Sequence, residues 1–287
     1  MARVFVCAAA AALAAVPVLA THGILLVSDQ VDGVADPQEY DDFYENAVRD
    51  AGETYVLWDH WTQGEPSFEV LRKYKTIIWF TSSSGEAPAS DPVRGNITLS
   101  LSEQKSLAAF LSQTPGKTTL MLSGMYIAWN CIADADNERQ LYKPLFSDYL
   151  KLDYPRENFY NWIRVEDDWE LEGDSSCPIF DGTSYTINWR HHKNFPDQLE
   201  SAAGGAPSAW WRDLNDKRHH RGVIRAEGTK ANGGTYRVIL FSCPFENILH
   251  DTKRAEVMTA FLDWAKTPES EISVEPASLG RVKALFR

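Results

Sequence analysis

Apolar positions fall along this chain in two rhythms. Ile24-Leu25-Leu26-Val27-Ser28 is a short unbroken apolar run, the form of a strand covered on both faces, and such strands belong to parallel sheets. Asp36, Pro37 and Glu39 then supply an N-cap, a first-turn proline and a capping acid, and Tyr40, Phe43, Tyr44, Ala47 and Val48 recur at helical spacing until Gly52. Residues 54–58 and 76–80 read as the second and third strands. Ser100 and Glu103 form a capping box before Leu107, Ala108, Phe110 and Leu111, Pro115-Gly116 stops that helix, and 118–122 is the fourth strand. The β-α-β-β-α-β alternation predicts an α/β fold: a doubly wound, mainly parallel sheet with flanking helices.

Between residues 153 and 234 the pattern loosens into short aromatic segments and turn residues, read as a β-rich, loop-rich middle lobe. Asn232-Gly233-Gly234 marks a turn and 236–241 a further buried strand. Ala255, Val257, Met258, Phe261, Leu262 and Ala265 line one face of a closing helix beside Trp264. The expected organisation is a leader over 1–20, the first part of the α/β core over 21–152, the lobe over 153–234, the closing strand and helix over 235–266, and a flexible, basic tail over 267–287.

The leader changes the setting. Arg3 is the sole charge ahead of an apolar run from Val4 to Leu19 that ends Val18-Leu19-Ala20, the layout of a secretory signal cleaved near Ala20. The expectation is a secreted, periplasmic or cell-surface protein with no membrane span. The whole chain carries 28 basic and 40 acidic side chains, formally −12. Without Arg3 the mature chain has 27 against 40, or −13, a balance that disfavours nucleic acid and anionic membranes. Mature cysteines are Cys131, Cys177 and Cys243. An odd number in an oxidising compartment leaves one thiol over, and Cys131 with Cys177 is one of three candidate pairings.

Three stretches carry a family resemblance. Ile24 to Asp29 with the helix through Tyr40-Asp41-Asp42-Phe43-Tyr44, Leu120-Met121-Leu122-Ser123-Gly124-Met125, and 236–241 followed by Ser242-Cys243-Pro244-Phe245-Glu246 together resemble the class I glutamine-amidotransferase-like domain of secreted bacterial proteins. The family presents a nucleophilic cysteine at the turn that corresponds to Ser123-Gly124-Met125, and a His followed by a Glu where this chain reads Cys243 to Glu246. Both cysteine and histidine are replaced, so the resemblance implies the fold without the glutaminase chemistry. Candidates for a rebuilt hydrolase are Cys243, Glu246 and Ser123, against a small buried core thiol for Cys243 and a helix-capping role for Ser123.

Other groups invite chemistry. Asp29, Asp32 and Asp36 bracket Gly33, offering oxygen ligands for Ca²⁺ or simply a solvated acidic loop. The pairs His191-His192 and His219-His220 are flanked by arginine and lysine and read as surface histidines, and Asn96-Ile97-Thr98 is a glycosylation sequon. Of ten tryptophans, Trp79 and Trp264 fit core positions, whereas Trp162, Trp169, Trp189, Trp210 and Trp211, with Tyr160 and Tyr185, crowd the middle lobe. They are either an aromatic core or a face that stacks on a carbohydrate or protein ligand. The functional expectation is a secreted binding or accessory module with no cofactor; its rivals are an amidase- or peptidase-like hydrolase and a self-assembling surface protein.

Overall fold

Backbone hydrogen bonds gather nine strands into one sheet. They are β1 (His22–Ser28), β2 (Tyr55–Asp59), β3 (Tyr74–Ser82), β4 (Thr118–Gly124), β5 (Trp169–Gly173), β6 (Ser184–Ile187), β7 (Gly205–Arg212), β8 (Arg218–Thr229) and β9 (Thr235–Phe241). Their order is β2-β1-β3-β4-β9-β8-β7-β5-β6. This computed structural model describes residues 22–30, 37–82, 98–125, 127, 128, 131, 142–152, 169–188, 198–212 and 218–268. The helices are α1 (Pro37–Asp50), α2 (His60–Gln63), α3 (Phe68–Leu71), α4 (Leu101–Gln113) and α5 (Asp251–Lys266), with a π turn over Leu145–Tyr149 and a 3₁₀ turn over Phe245–Asn247.

The expected doubly wound, mainly parallel sheet is overturned. Only β2-β1-β3-β4-β9 run parallel; β9-β8-β7-β5-β6 pair antiparallel, so the sheet is mixed. The cause lies in 153–234, whose described strands extend the same sheet. The tight turn through Gly233, a residue at φ 82°, folds β8 back on β9 as a hairpin. Burial then alternates along β5: Trp169, Leu171 and Gly173 are buried, whereas Glu170 and Glu172 are half-exposed. An antiparallel sheet tolerates one wetter face in this way.

Strand alternation splits the core in two. Ile24, Leu26, Ile78, Phe80, Met121, Ile239 and Phe241 pack on one face with Tyr44, Ala47 and Val48 of α1 and Val257, Phe261 and Trp264 of α5. Leu25, Val27, Ile77, Trp79, Leu120, Leu122 and Leu240 pack on the other with Leu107, Phe110 and Leu111 of α4. Each fully buried aliphatic or aromatic side chain stabilises the fold by roughly 1.5–3 kcal/mol relative to exposure. The capping box is present: Glu103 N–H donates to Ser100 Oγ at 3.1 Å and Ser100 N–H to Glu103 Oε2 at 2.7 Å. At the far end of α5, Arg237 of β9, buried and paired with Glu227 at 3.1 Å, donates to the Trp264 and Thr267 carbonyls, and Lys117 Nζ donates to the Thr267 carbonyl at 2.7 Å. Cations thus satisfy the orphan carbonyls of the helix C-terminus.

The candidate disulfide is corrected. Cys131, Cys177 and Cys243 are all free and buried. Cys131 packs with the α4-side cluster and Cys177 with the α1–α5 side, so the sheet stands between two thiols whose Cα atoms would need to approach within about 7 Å. No described helix is long and apolar enough to cross a membrane.

At the end of β4 the backbone of Gly124 has φ 157°, and a Cβ there would lie 1.9 Å from Thr81 Oγ1 of β3. Gly124→Ala is therefore expected to lower stability by about 2–5 kcal/mol through overpacking and backbone strain. Urea denaturation checks this, and an alanine variant as stable as the parent would refute the close approach.

Candidate functional site

Three polar groups gather where the parallel strands end. The first joins residues flagged in the sequence. Phe245 N–H donates to Ser123 Oγ at 2.8 Å, and Tyr44 Oη lies 2.9 Å from Ser123 Oγ and donates to Glu246 Oε2 at 2.6 Å. The Tyr44 proton is committed to the carboxylate, and the Ser123 hydroxyl stands between the phenol oxygen at 2.9 Å and the Cys243 carbonyl, to which it donates at 3.3 Å. Phe245 N–H, Ser123, Tyr44 and Glu246 form one hydrogen-bonded group, and every member is buried. Tyr44 also stacks on Phe80 with ring centroids 3.9 Å apart. Burial first, and the Glu246 charge second, hold the Tyr44 phenol well above its ordinary range.

The same two causes, in the same order, push the Cys243 thiol far up. Cys243 is buried in the α1–α5 cluster and Met125, in the turn after β4, is buried too. The structure thus brings Ser123, Cys243 and Glu246 together, but as a clasp between β4, α1 and the segment after β9. Ser123 sits in β4 and accepts from Phe245, in place of the helix-capping role expected of it. A thiol without thiolate is not a nucleophile at neutral pH.

The second group lies on the other face of β1. Asp29, the residue after β1, is anchored by its N–H to the Phe80 carbonyl at 2.9 Å and accepts from Trp79 Nε1 through Oδ2 at 3.0 Å. Its Oδ1 is 3.8 Å from Nδ1 of His60, whose Nε2 is 2.9 Å from Glu103 Oε1. His60 begins α2 directly after β2, where the Asp59 side chain caps the helix by accepting from Trp61 N–H at 3.0 Å. Asp29 is 0%, His60 8% and Glu103 3% exposed. Charges this deep persist only when paired. The expectation of Asp29 in a solvated loop is therefore corrected to a buried residue beside Trp79 and His60; Asp32 and Asp36, its companions in the Ca²⁺ reading, lie outside the described residues. Sequence reading missed His60 and took Glu103 for a cap alone. The available signal was that Asp59-His60 follows a strand directly, at the carboxyl edge of the sheet.

The third group is Ser28, Gln30 and Asp41. Ser28 Oγ and Gln30 Nε2 each donate to Asp41 Oδ1 at 2.7 Å. Burial raises the Asp41 carboxyl to about 6 from an ordinary 3.8, outweighing the lowering effect of those two hydrogen bonds; Asp59 and Glu45 add smaller repulsions.

Of the four described members of the expected aromatic face, three are core. Trp169, Trp211 and Tyr185 are buried in the α1–α5 cluster, because their positions on β5, β7 and β6 point to one side of the sheet and meet across it, Leu171 pairing with both Tyr185 and Trp211. Trp211 Nε1 donates to Ser242 Oγ at 3.3 Å. Trp210, on the opposite side and half-exposed, carries the Arg221 guanidinium 5.2 Å from its ring. Trp162, Trp189 and Tyr160, the sequon at Asn96 and the pair His191-His192 lie outside the described residues. Among the described residues the exposed large hydrophobics are Val56 and Trp61, at 40% and 68%.

The sequence matches no protein-family model and no curated protein. Among solved structures, the chain is similar at 12% identity to the cytoplasmic protein STM3548 from Salmonella typhimurium, with a TM-score of 0.49 over 84% of this chain and 98% of that one. A ThuA-like protein from Bacteroides uniformis gives 12% identity and a TM-score of 0.47 over 86% and 93%. The mmIFT52 N-terminal domain gives 12% and 0.49 over 86% and 99%. No residue role is carried over from any of them.

Asp41 yields a pH prediction. Its folded-state value lies above the unfolded one, so ionising it opposes folding; that cost is absent below about pH 4 and complete once pH has risen through about 6. Asp41→Asn keeps an Oδ1 acceptor for both donors and cannot ionise. Thermal melts should show the variant more stable than the parent at pH 7.5 and no more stable near pH 4; a variant less stable at pH 7.5 would contradict the assignment.

Proposed function

We propose that this protein is a binding module of amidotransferase-like descent that acts outside the cell, with its ligand crevice at the carboxyl ends of β1, β2 and β3. One observation carries the reading. From β1 the chain crosses to β2 on one side and then to β3 on the other, and ligands of open α/β sheets bind outside the carboxyl ends where strand order reverses in this way. Asp29, Trp79, His60 and Glu103 converge at that reversal from four separate elements. Burying an imidazole between two carboxylates costs desolvation, and simple packing is served better by apolar side chains. A buried cluster of this kind at the carboxyl edge of a sheet supports a binding role.

The clasp does not favour the hydrolase alternative: the Ser123 hydroxyl is held among Tyr44, Phe245 N–H and the Cys243 carbonyl, and burial pushes the Cys243 thiol up. Trp61, next along from His60 and exposed, offers a ring of the kind that stacks on sugars. An extracellular carbohydrate fits that ring.

Two measurements test this. Native protein incubated with iodoacetamide should stay unlabelled at Cys243 and release no ammonia from glutamine; Cys243-dependent ammonia release would overturn the non-catalytic reading. In a thermal-shift and titration series with soluble oligosaccharides, binding should weaken at least tenfold in Trp61→Ala and Glu103→Gln. Binding that survives both changes and is lost in Trp210→Ala would move the site to the antiparallel half.

A further inference from the structure

We infer that Asp29, His60 and Glu103 form a site for one divalent transition-metal cation. The inference rests on the crevice reading only for the site's location. The donor set is mixed, two carboxylates and an imidazole, and its coordinating atoms all lie within 4.8 Å of one another. Carboxylate and imidazole together suit Zn²⁺ and its first-row neighbours.

The orientation of the carboxylates points the same way. In each, one oxygen is held by a protein donor outside the cluster: Trp79 Nε1 holds Asp29 Oδ2 at 3.0 Å, and Ser100 N–H holds Glu103 Oε2 at 2.7 Å. The other oxygen of each is turned on His60. Outer hydrogen bonds that fix one carboxylate oxygen and aim its mate inward are how proteins orient metal ligands. The two helical ligands are set by local rules, because His60 follows the Asp59 cap and Glu103 is the third residue of a capping box. Neither depends on a long loop.

Charge and size agree. With a neutral imidazole the cluster carries −2, matched by a dication. Ligand atoms about 2.1 Å from a tetrahedral metal stand about 3.4 Å apart. Glu103 Oε1 faces Nε2 at 2.9 Å and Asp29 Oδ1 faces Nδ1 at 3.8 Å, so a metal takes one of the two nitrogens; with one ligand atom from each residue inside 4.8 Å, the carboxylate on the far side of the ring has to close by up to about 1.4 Å. The metal binds the nitrogen of the neutral imidazole that carries no proton, and the other ring nitrogen keeps its N–H. Three protein ligands leave a coordination position for water or for a ligand oxygen, the pattern of an open site.

The test uses the full mature chain after EDTA dialysis. Titration with ZnCl₂ followed by calorimetry, and elemental analysis after desalting, should show one equivalent bound. Glu103→Gln preserves the capping-box acceptor, and His60→Gln removes the imidazole. Each should weaken Zn²⁺ binding at least tenfold with the circular dichroism spectrum unchanged. Absence of Zn²⁺ binding, or one equivalent bound with the same affinity in both variants, would overturn the inference, the second outcome assigning the metal to other histidines. Should either variant fail to fold, Co²⁺ loading of the unaltered chain decides: paramagnetic broadening of the His60 ring resonances supports the site and unperturbed resonances refute it. Oligosaccharide titration of the metal-free chain separates the two readings, since binding retained there leaves the crevice intact and removes only the metal.

Discussion

Strand β9 bonds in both senses at once, parallel to β4 along one edge and antiparallel to β8 along the other. Everything else in the molecule depends on that double pairing. It joins a five-strand parallel half, which needs helices on both faces, to an antiparallel half that leaves one face partly wet. It also sets Ser123 level with Phe241, so the chain emerging from β9 can deliver Phe245 and Glu246 to the hydroxyls of Ser123 and Tyr44. The clasp is a consequence of register: a slip of one residue in β9 would turn each of these groups to the wrong side.

Two polar systems consequently lie close in sequence terms and on opposite sides of the sheet. Ser123, Tyr44 and Glu246 bond to one another, with Phe245 N–H and the Cys243 carbonyl also on the Ser123 hydroxyl. Asp29, His60 and Glu103 instead concentrate negative charge around one base, with their outer oxygens held by Trp79 and Ser100. The first network binds β4 to α1 and the segment after β9, and the second binds β1 and β3 to α2 and α4.

Much of the parallel half was legible from local pattern, because the relevant physics is local. The unbroken apolar run of β1, the periodicity of α1 and the capping box at Ser100 and Glu103 are each decided within a few residues. The antiparallel half was illegible for the opposite reason. Trp169, Leu171, Tyr185 and Trp211 alternate with charged or polar neighbours in segments of four to eight residues, and only pairing across the sheet shows that they share a core. The site divides in the same way. Asp29, Ser123, Cys243 and Glu246 drew notice because they end buried strands, and the neighbourhood was right. Their roles depend on burial and partners that no spacing encodes, and His60 meets Glu103 only through tertiary packing.

The C-terminal anchoring of α5 has a geometric corollary. Arg237 and Lys117 tie the Trp264 and Thr267 carbonyls to the amino ends of β9 and β4, while Asp29 and His60 follow the carboxyl ends of β1 and β2. A strand of seven residues spans about 23 Å at roughly 3.3 Å per residue. The carbonyl end of α5 is therefore fixed at one pole of the sheet while Asp29, His60 and Glu103 stand at the other, so a change that loosens the α5 anchor acts on the cluster only through the length of the strands between them.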